Sequence, residues 1–222
     1  MPHSLFKAML LPFYRAGRKI WFAYEVGKDK RRGVDFYTVV DNQGTPEALA
    51  GHHIYEATGF LFDLPLKAFL RNRITGEGDD RIIDVGCGKG RMLEIFHAFG
   101  FSKADGLEYS PALSEIAREN MKKLGLPCEI FTGDAALFDG YDAYNWFYLY
   151  NPFTQDIMLR FIDRLKESLR RNPRAITILY TYPQFDSLFA DAGFHMGWVG
   201  AVTHLVRLIT NEGMAEGAAG SA

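Results

Sequence analysis

Three glycines within five positions follow directly after a short apolar run in the stretch IIDVGCGKGRML. Gly86, Gly88 and Gly90 stand at alternate positions, and an amphipathic segment begins immediately after them. A tight turn from a strand into a helix needs only one glycine. Three indicate a ligand that approaches the backbone more closely than a Cβ atom permits, beside the N–H groups that open a helix. We therefore expect a ligand-binding loop between a buried strand and a helix.

From Arg81 onward the hydrophobic pattern alternates between the period of strands and the period of helices. The segments predicted to be strands are Arg81–Val85, Lys103–Glu108, Cys128–Thr132, Ala143–Tyr150, Ala175–Thr181, Phe194–Val199 and Thr203–Ile209. Helical spacing separates most of them, whereas the last two follow each other without a long helix. The pattern predicts an α/β fold with a doubly wound, mainly parallel seven-stranded sheet, a terminal antiparallel hairpin and an N-terminal helical extension.

Local signals mark where the predicted helices begin. Ser110 precedes Pro111 at the start of the helix after the second strand, and Thr154 precedes the long helix after the fourth strand. Both hydroxyl side chains are expected to cap helix N-termini. A short helix is predicted near Phe185–Ala192.

The aromatic tract YDAYNWFYLYNPF raises the question of which rings reach a ligand. Apolar and aromatic residues occupy both parities of this strand, which is typical of a strand buried on both faces of a sheet. Most of the rings are therefore expected in the core. Only the residues from Tyr150 to Phe153, at the end of the strand, are candidates for an active site.

Composition and charge exclude several classes of protein. The 222 residues carry a formal net charge of −2, which gives no overall attraction to nucleic acid. The two cysteines and six histidines show no metal-ligand spacing, so we predict no metal site and expect reduced thiols in a cytoplasmic protein. No apolar run reaches the about 18 residues of a transmembrane helix. The N-terminal stretch SLFKAMLLPFYRAGRKIWFAY is expected to be a helix packed on the domain, and a basic amphipathic segment that contacts a membrane or a partner is the alternative.

The spacing of the glycines separates two kinds of nucleotide ligand. A dinucleotide fingerprint is G-x-G-x-x-G, in which the third glycine lets the helix pack against the strand. Here the pattern is G-x-G-x-G, and Arg91 stands where the dinucleotide pattern has glycine. Glu108, at the end of the second predicted strand, is placed to accept hydrogen bonds from a ribose diol in either case. The spacing disfavours a nicotinamide-dependent oxidoreductase.

Four short motifs, taken in order, carry a family resemblance. The stretches DVGCGKG, LEYSP, TGDAA and YNPF resemble those of the class I, Rossmann-like S-adenosylmethionine-dependent methyltransferases. The resemblance extends from Tyr55 to about Asn211. The upstream stretches GVDFYTV and YEATGF resemble a little-described bacterial branch of that fold, and some relatives with comparable upstream segments are protein-lysine methyltransferases.

The resemblance implies S-adenosylmethionine as the cofactor and a role for each motif residue. It assigns the methionine end of the cofactor to Asp84 and the glycine loop, both ribose hydroxyls to Glu108, and the adenine amino group to Asp134. Tyr109 would lie beside the adenine and Ala135 would supply a backbone contact. The complete set of cofactor-binding residues implied is Tyr55, Thr58, Asp84, Gly86, Cys87, Gly88, Gly90, Glu108, Tyr109, Asp134, Ala135 and Asn151.

The same resemblance places a catalytic turn at Asn151, Pro152 and Phe153, next to the methyl group to be transferred. Enzymes of this fold that methylate amines and nucleobases often carry two prolines in this motif, whereas YNPF has one. No metal and no catalytic dyad is implied, because a sulfonium already activates the methyl group.

The resemblance also implies a division of the chain and a class of reaction. We expect an N-terminal extension over residues 1–54 that shapes the substrate site, a methyltransferase domain over 55–211 and a disordered tail over 212–222. Deletion of about the first 41 residues is expected to leave cofactor binding largely intact, because the four motifs lie later in the chain. The expected acceptor is a protein lysine or another amine. The alternatives are a small-molecule acceptor and an inactive cofactor-binding module that acts through a partner, and the sequence does not indicate the oligomeric state.

Overall fold

Strands and helices alternate in the computed structural model, which describes residues 20–37, 60–199 and 206–212. The helices are α1 (residues 20–32), α2 (Phe60–Arg73), α3 (Arg91–Phe99), α4 (Pro111–Leu124), α5 (Gln155–Arg171) and α6 (Ser187–Asp191), with a 3-10 turn at Gly140–Ala143. The strands are β1 (Arg81–Val85), β2 (Lys103–Glu108), β3 (Ile130–Thr132), β4 (Trp146–Tyr150), β5 (Thr177–Thr181), β6 (His195–Trp198) and β7 (Val206–Thr210).

The strands form one sheet in the order β3-β2-β1-β4-β5-β7-β6. The five strands from β3 to β5 in this order are parallel, and β7 is antiparallel to both β5 and β6. The predicted fold class, a mainly parallel seven-stranded sheet with a terminal antiparallel hairpin, is therefore confirmed. Strand order reverses between β1 and β4, and in open sheets of this kind ligands bind at the carboxyl ends of the strands near that reversal.

The bounds of β1 and β2 are those predicted, whereas β3 and β4 begin later than expected. The 3-10 turn Gly140–Ala143 lies shortly before β4. The Tyr144 N–H donates a hydrogen bond to the Tyr141 carbonyl oxygen in this turn and not to a carbonyl oxygen of a neighbouring strand. Before β3, the Cys128 N–H donates to the carbonyl oxygen of Leu126 at 2.9 Å. Local turns at these two places satisfy backbone groups that the sheet would otherwise pair.

One of the two predicted helix caps is present. The Ser110 hydroxyl accepts a hydrogen bond from the Leu113 N–H at 3.5 Å and caps α4, as expected. Thr154 stands at the N-cap position of α5, but its side chain makes no capping hydrogen bond, so that prediction is wrong. Asp156 in the first turn places a negative charge at this helix end, where the helix dipole favours it.

Two apolar clusters cover the faces of the sheet. Alternate residues of β4 enter different clusters: Trp146 and Tyr148 face one, and Phe147 and Leu149 face the other. The prediction that this strand is buried on both faces is confirmed. The first cluster also includes Val34, Phe36 and Tyr37, so the segment that follows α1 is part of the core of the domain.

The termini and two internal stretches lie outside the described residues. The stretch 38–59, with Tyr55 and Thr58, and the stretch 200–205 belong to them, as do the first 19 residues and the tail after residue 212. Within the described part of the chain, no helix is long and apolar enough to cross a membrane.

Candidate cofactor and active site

The glycine loop after β1 has a backbone that only glycine adopts without strain. Gly86, Gly88 and Gly90 have φ angles of 86°, 53° and 83°. The N–H groups of Gly86 and Cys87 both donate to the carbonyl oxygen of Leu107 on β2, at 2.8 and 3.1 Å. The backbone is left-handed at three alternate positions, which explains why the sequence places glycine at each of them.

The Glu108 carboxylate, at the carboxyl end of β2, joins the glycine loop to the next helix. Its Oε2 atom accepts a hydrogen bond from the Gly88 N–H at 2.8 Å, and its Oε1 atom accepts one from the Ser110 N–H at 2.9 Å. The side chain is buried. An ionised carboxylate has about four acceptor positions, and these two backbone donors use two of them.

Asp84 is a buried carboxyl group at the end of β1. Its relative exposure is 3%, and no described group donates a hydrogen bond to its side chain. Burial raises its pKa well above the usual value of a carboxyl group, and the negative charge of Glu108 adds to the effect. A cationic group bound beside Asp84 would offset both effects. The ammonium group of an amino-acid ligand has this character.

Asp134 and Ala135 follow β3 at the same edge of the sheet. The Asp134 Oδ1 atom accepts a hydrogen bond from the Ala136 N–H at 2.8 Å, which fixes the side chain in an Asx turn and leaves Oδ2 for a ligand. The Ala135 carbonyl oxygen accepts a hydrogen bond from the Tyr141 hydroxyl at 2.8 Å. The backbone contact that Ala135 could offer to a ligand is therefore its N–H group. Leu137 is 65% exposed and offers apolar surface next to this turn.

Cys87 and Tyr109 are the remaining residues among those described for which the family resemblance implied a cofactor contact. The Cys87 thiol is buried, and burial raises its pKa well above the usual thiol value, with the charge of Asp84 adding to the effect. The thiol is therefore a packing group and not a reactive one. It packs closely against β2, because a Cβ atom built on Gly106 would lie 2.5 Å from the Cys87 Sγ atom. Tyr109 is half-buried and follows Glu108 directly.

The turn Asn151–Pro152–Phe153 after β4 touches the glycine loop. A Cβ atom built on Gly86 would lie 2.7 Å from the Cβ atom of Pro152, so the two motifs are in direct contact. The Asn151 side-chain carbonyl accepts a hydrogen bond from the Tyr180 hydroxyl at 3.4 Å. Phe153 is buried in the core, with its ring 6.0 Å from that of Phe161.

Asn151 and Tyr182 are the two non-glycine residues with positive φ among those described, at 39° and 51°. They follow the neighbouring strands β4 and β5, and the Asn151 N–H donates to the Thr181 carbonyl oxygen at 3.1 Å. Tyr182 is 40% exposed, and its ring meets that of Tyr150 edge to face at 5.4 Å. Such backbone strain costs about 1–3 kcal/mol per residue and clusters at functional sites.

Sequence reasoning missed Tyr182 and the polar residues behind the glycine loop. The signal for Tyr182 was a Tyr-Pro pair directly after an apolar strand, at the same sheet edge as YNPF. Lys89, within the loop, has a fully buried side chain whose Nζ atom lies 2.7 Å from Asp35 Oδ2. The signal for Asp35 was the upstream GVD stretch, which the family resemblance had already marked.

The described residues contain no group of three or more His, Cys, Asp or Glu side chains that could hold a metal ion. The titratable groups of the site, Asp84, Glu108 and Asp134, instead line the edge of the sheet along β1, β2 and β3. Their arrangement suits an extended ligand with a cationic end, a diol and an amino-bearing ring.

Comparison with known proteins gives matches of two kinds. Residues 82–172 match the family described as a methyltransferase domain. Among solved structures, the fold is similar to the mitomycin 7-O-methyltransferase MmcR, with 16% identity, a TM-score of 0.50, and coverage of 67% of this chain and 53% of that chain. It is also similar to the ribosomal protein L11 methylase from Lactobacillus delbrueckii subsp. bulgaricus, with 16% identity, a TM-score of 0.50, and coverage of 66% of this chain and 76% of that chain.

A protein from Pyrococcus horikoshii OT3 is similar at 14% identity and a TM-score of 0.53, with coverage of 68% of this chain and 88% of that chain. This chain spans about half the length of the mitomycin methyltransferase. None of the curated proteins matches this chain. At these identities the solved structures bear on the fold alone.

Replacement of Glu108 tests whether this residue binds the ribose of the cofactor. We expect Glu108→Ala to weaken the binding of S-adenosylhomocysteine by about 2 kcal/mol, roughly thirtyfold, because charge-assisted hydrogen bonds are lost. Titration calorimetry measures the affinity, and circular dichroism verifies the fold. Glu119→Ala is the matched control, since Glu119 lies exposed on α4 and pairs with Lys123. A folded Glu108→Ala protein with unchanged affinity would contradict the assignment.

Asp84 should make the binding of the same ligand depend on pH. The affinity should fall as pH is lowered through the raised pKa of Asp84, because a protonated carboxyl no longer attracts the ligand's ammonium group. Binding near that pH should release a proton, since the ammonium lowers the Asp84 pKa. Calorimetry in two buffers of different ionisation enthalpy measures this release. Asp84→Asn should abolish it, and equal proton release by both proteins would argue against the role of Asp84.

Proposed function

We propose that the chain is a class I, S-adenosylmethionine-dependent methyltransferase and that it methylates the nitrogen of an amine, with a lysine side chain of a protein as the leading acceptor. The residues along β1, β2 and β3 support the choice of cofactor. The choice of acceptor depends on the residues that end β4 and β5.

The residues along β1, β2 and β3 are suited to hold the cofactor. Asp84 would provide a buried negative charge for its ammonium group, and Glu108 would accept hydrogen bonds from the ribose hydroxyls. Asp134 Oδ2 would accept a hydrogen bond from the adenine amino group, because the turn that fixes Oδ1 leaves Oδ2 to a ligand. S-adenosylmethionine supplies a methyl group that its sulfonium already activates, so the protein has to align the acceptor and exclude water.

The proposal of an amine acceptor rests on the position and the hydrogen bond of Asn151. The contact of Pro152 with Gly86 holds the Asn151 turn against the glycine loop. Burial raises the pKa of Tyr180 to about 12, so its hydroxyl stays protonated and donates to the Asn151 carbonyl. The second lone pair of that carbonyl can accept an N–H from an amine. Because the amine nitrogen gains positive charge during attack, this hydrogen bond strengthens in the transition state.

The residues beside Asn151 offer aromatic surface to an incoming amine. The rings of Tyr150 and Tyr182 meet edge to face at the end of β4 and β5. Neither ring carries a carboxylate that would pair with an ammonium group, whose nitrogen has no lone pair available for attack. The exposed ring of Tyr182 is suited to pack against the methylene groups of an incoming lysine side chain.

The structural neighbours do not decide the acceptor. Their names refer to an oxygen of mitomycin in one case and to ribosomal protein L11 in the other. We further propose that part of the N-terminal extension, residues 1–54, shapes the acceptor site. The described segment 20–37 packs on the domain. This packing would fix the position at which the other residues of the extension connect to the domain.

The acceptor is identified by following a labelled methyl group. The full chain is incubated with S-adenosylmethionine labelled in the methyl group and with host lysate, and the products are separated into protein, nucleic-acid and small-molecule fractions. We expect the label in protein and, after acid hydrolysis, in methylated lysine. Label confined to small molecules would contradict the protein acceptor, and label in no fraction would favour an inactive binding module.

The role of Asn151 is tested in the same assay with the variant Asn151→Gly. Glycine tolerates the left-handed backbone at this position, so the variant removes the side chain without adding strain. Turnover should fall by about 10²-fold, the scale for removing one positioned polar group. Thermal stability and affinity for S-adenosylhomocysteine should stay close to the wild-type values. Near-normal turnover would exclude Asn151 from the active site.

A further inference from the structure

We propose that Asp35, on the segment 33–37 that follows α1, is a positioning residue of the cofactor site. Asp35 holds Lys89, in the middle of the glycine loop, directly and through Asn120 and thereby sets the affinity for the cofactor. This role adds a residue of the N-terminal extension to the cofactor site. It does not depend on which acceptor is methylated.

The first link is the ion pair between Asp35 and Lys89. Lys89 stands between Gly88 and Gly90, and its side chain is completely buried. Its Nζ atom donates to Asp35 Oδ2 at 2.7 Å. A buried ammonium group is strongly unfavourable without a counter-charge. Asp35 therefore stabilises Lys89 in this position, and with it the middle of the loop.

The second link is the Asn120 amide, which binds the segment and the loop at once. Asn120 lies on α4 and is 1% exposed. Its Oδ1 atom accepts from the Asp35 N–H at 2.8 Å. Its Nδ2 atom donates to the carbonyl oxygens of Asp35 and Lys89, at 2.9 and 3.0 Å. Three hydrogen bonds of one buried side chain thus hold Asp35 and Lys89 in register.

The loop is consequently held at two neighbouring residues. Gly88 donates its N–H to Glu108, which we propose binds the ribose. Lys89 is held by Asp35 and Asn120. Glycine-rich backbone loses more conformational freedom on ordering than any other, so a loop that is ordered in advance binds its ligand more tightly. Asp35 acts on the cofactor through this ordering.

Other contacts seat the segment against the domain. Phe36 is fully buried, and its N–H donates to Asp29 Oδ2 at 3.0 Å. The Arg91 Nε atom, at the start of α3, donates to the Tyr37 hydroxyl at 3.1 Å. A deletion of the first 41 residues would remove Asp29, Asp35, Phe36 and Tyr37, and with them all of these contacts. The structure therefore gives a physical reason to expect weaker cofactor binding after that deletion, against the expectation from the sequence.

The test is titration calorimetry with S-adenosylhomocysteine on the full chain. We expect Asp35→Asn, which keeps the shape and removes the charge, to raise the Kd at least tenfold. Asp35→Glu keeps the charge and should restore most of the affinity. Arg32→Gln is the matched control, because Arg32 joins the same part of the chain to Glu94 on α3, at 2.7 Å, without touching the loop. Its Kd should change less than threefold.

Each outcome decides the proposal. An Asp35→Asn protein with the wild-type Kd, or equal weakening by Asp35→Asn and Arg32→Gln, would overturn it. If Asp35→Asn alone does not fold, the double variant Asp35→Asn, Lys89→Met leaves no unpaired buried charge. Tenfold weaker binding by the double variant supports the proposal, and wild-type affinity overturns it. Absence of binding by the wild-type protein would contradict the cofactor itself and this proposal with it.

Discussion

The Glu108 carboxylate is the interaction on which the rest of the site depends. It accepts hydrogen bonds from the N–H groups of Gly88 and Ser110, and so ties the glycine loop after β1 to the start of α4. Hydrogen bonds to a charged group contribute about 1.5–3 kcal/mol each, and an unpaired buried donor is costly. One side chain thus fixes two consecutive turns at the edge of the sheet where we propose that the cofactor binds.

The two halves of the site are built differently. The half that we propose for the cofactor is preorganised, because Glu108 holds Gly88 while Asp35 and Asn120 hold the neighbouring Lys89. The half that we propose for the acceptor carries backbone strain at Asn151 and Tyr182, which follow neighbouring strands. The contact between Pro152 and Gly86 joins the halves, so a shift of the loop would also move the residue that we propose orients the acceptor.

Local physics explains which features the sequence predicted. The strand β1 is a short, mostly apolar run that ends directly at the glycine loop, so its bounds followed from pattern alone. The Ser110 cap and the two-sided burial of β4 also depend on near neighbours in the chain. The pairing of Lys89 with Asp35 joins residues 54 positions apart, and no local signal predicts it. The left-handed backbone of Tyr182 is equally hidden, because it depends on how β4 and β5 end beside each other.

The most direct test of the central claim is a crystal structure of the full chain with S-adenosylhomocysteine. We expect both ribose hydroxyls within hydrogen-bond distance of Glu108, while this carboxylate keeps its hydrogen bonds to the N–H groups of Gly88 and Ser110. The amino-acid end of the ligand should then lie beside Asp84. A ligand whose ribose lies away from Glu108, or which binds at another edge of the sheet, would contradict the account.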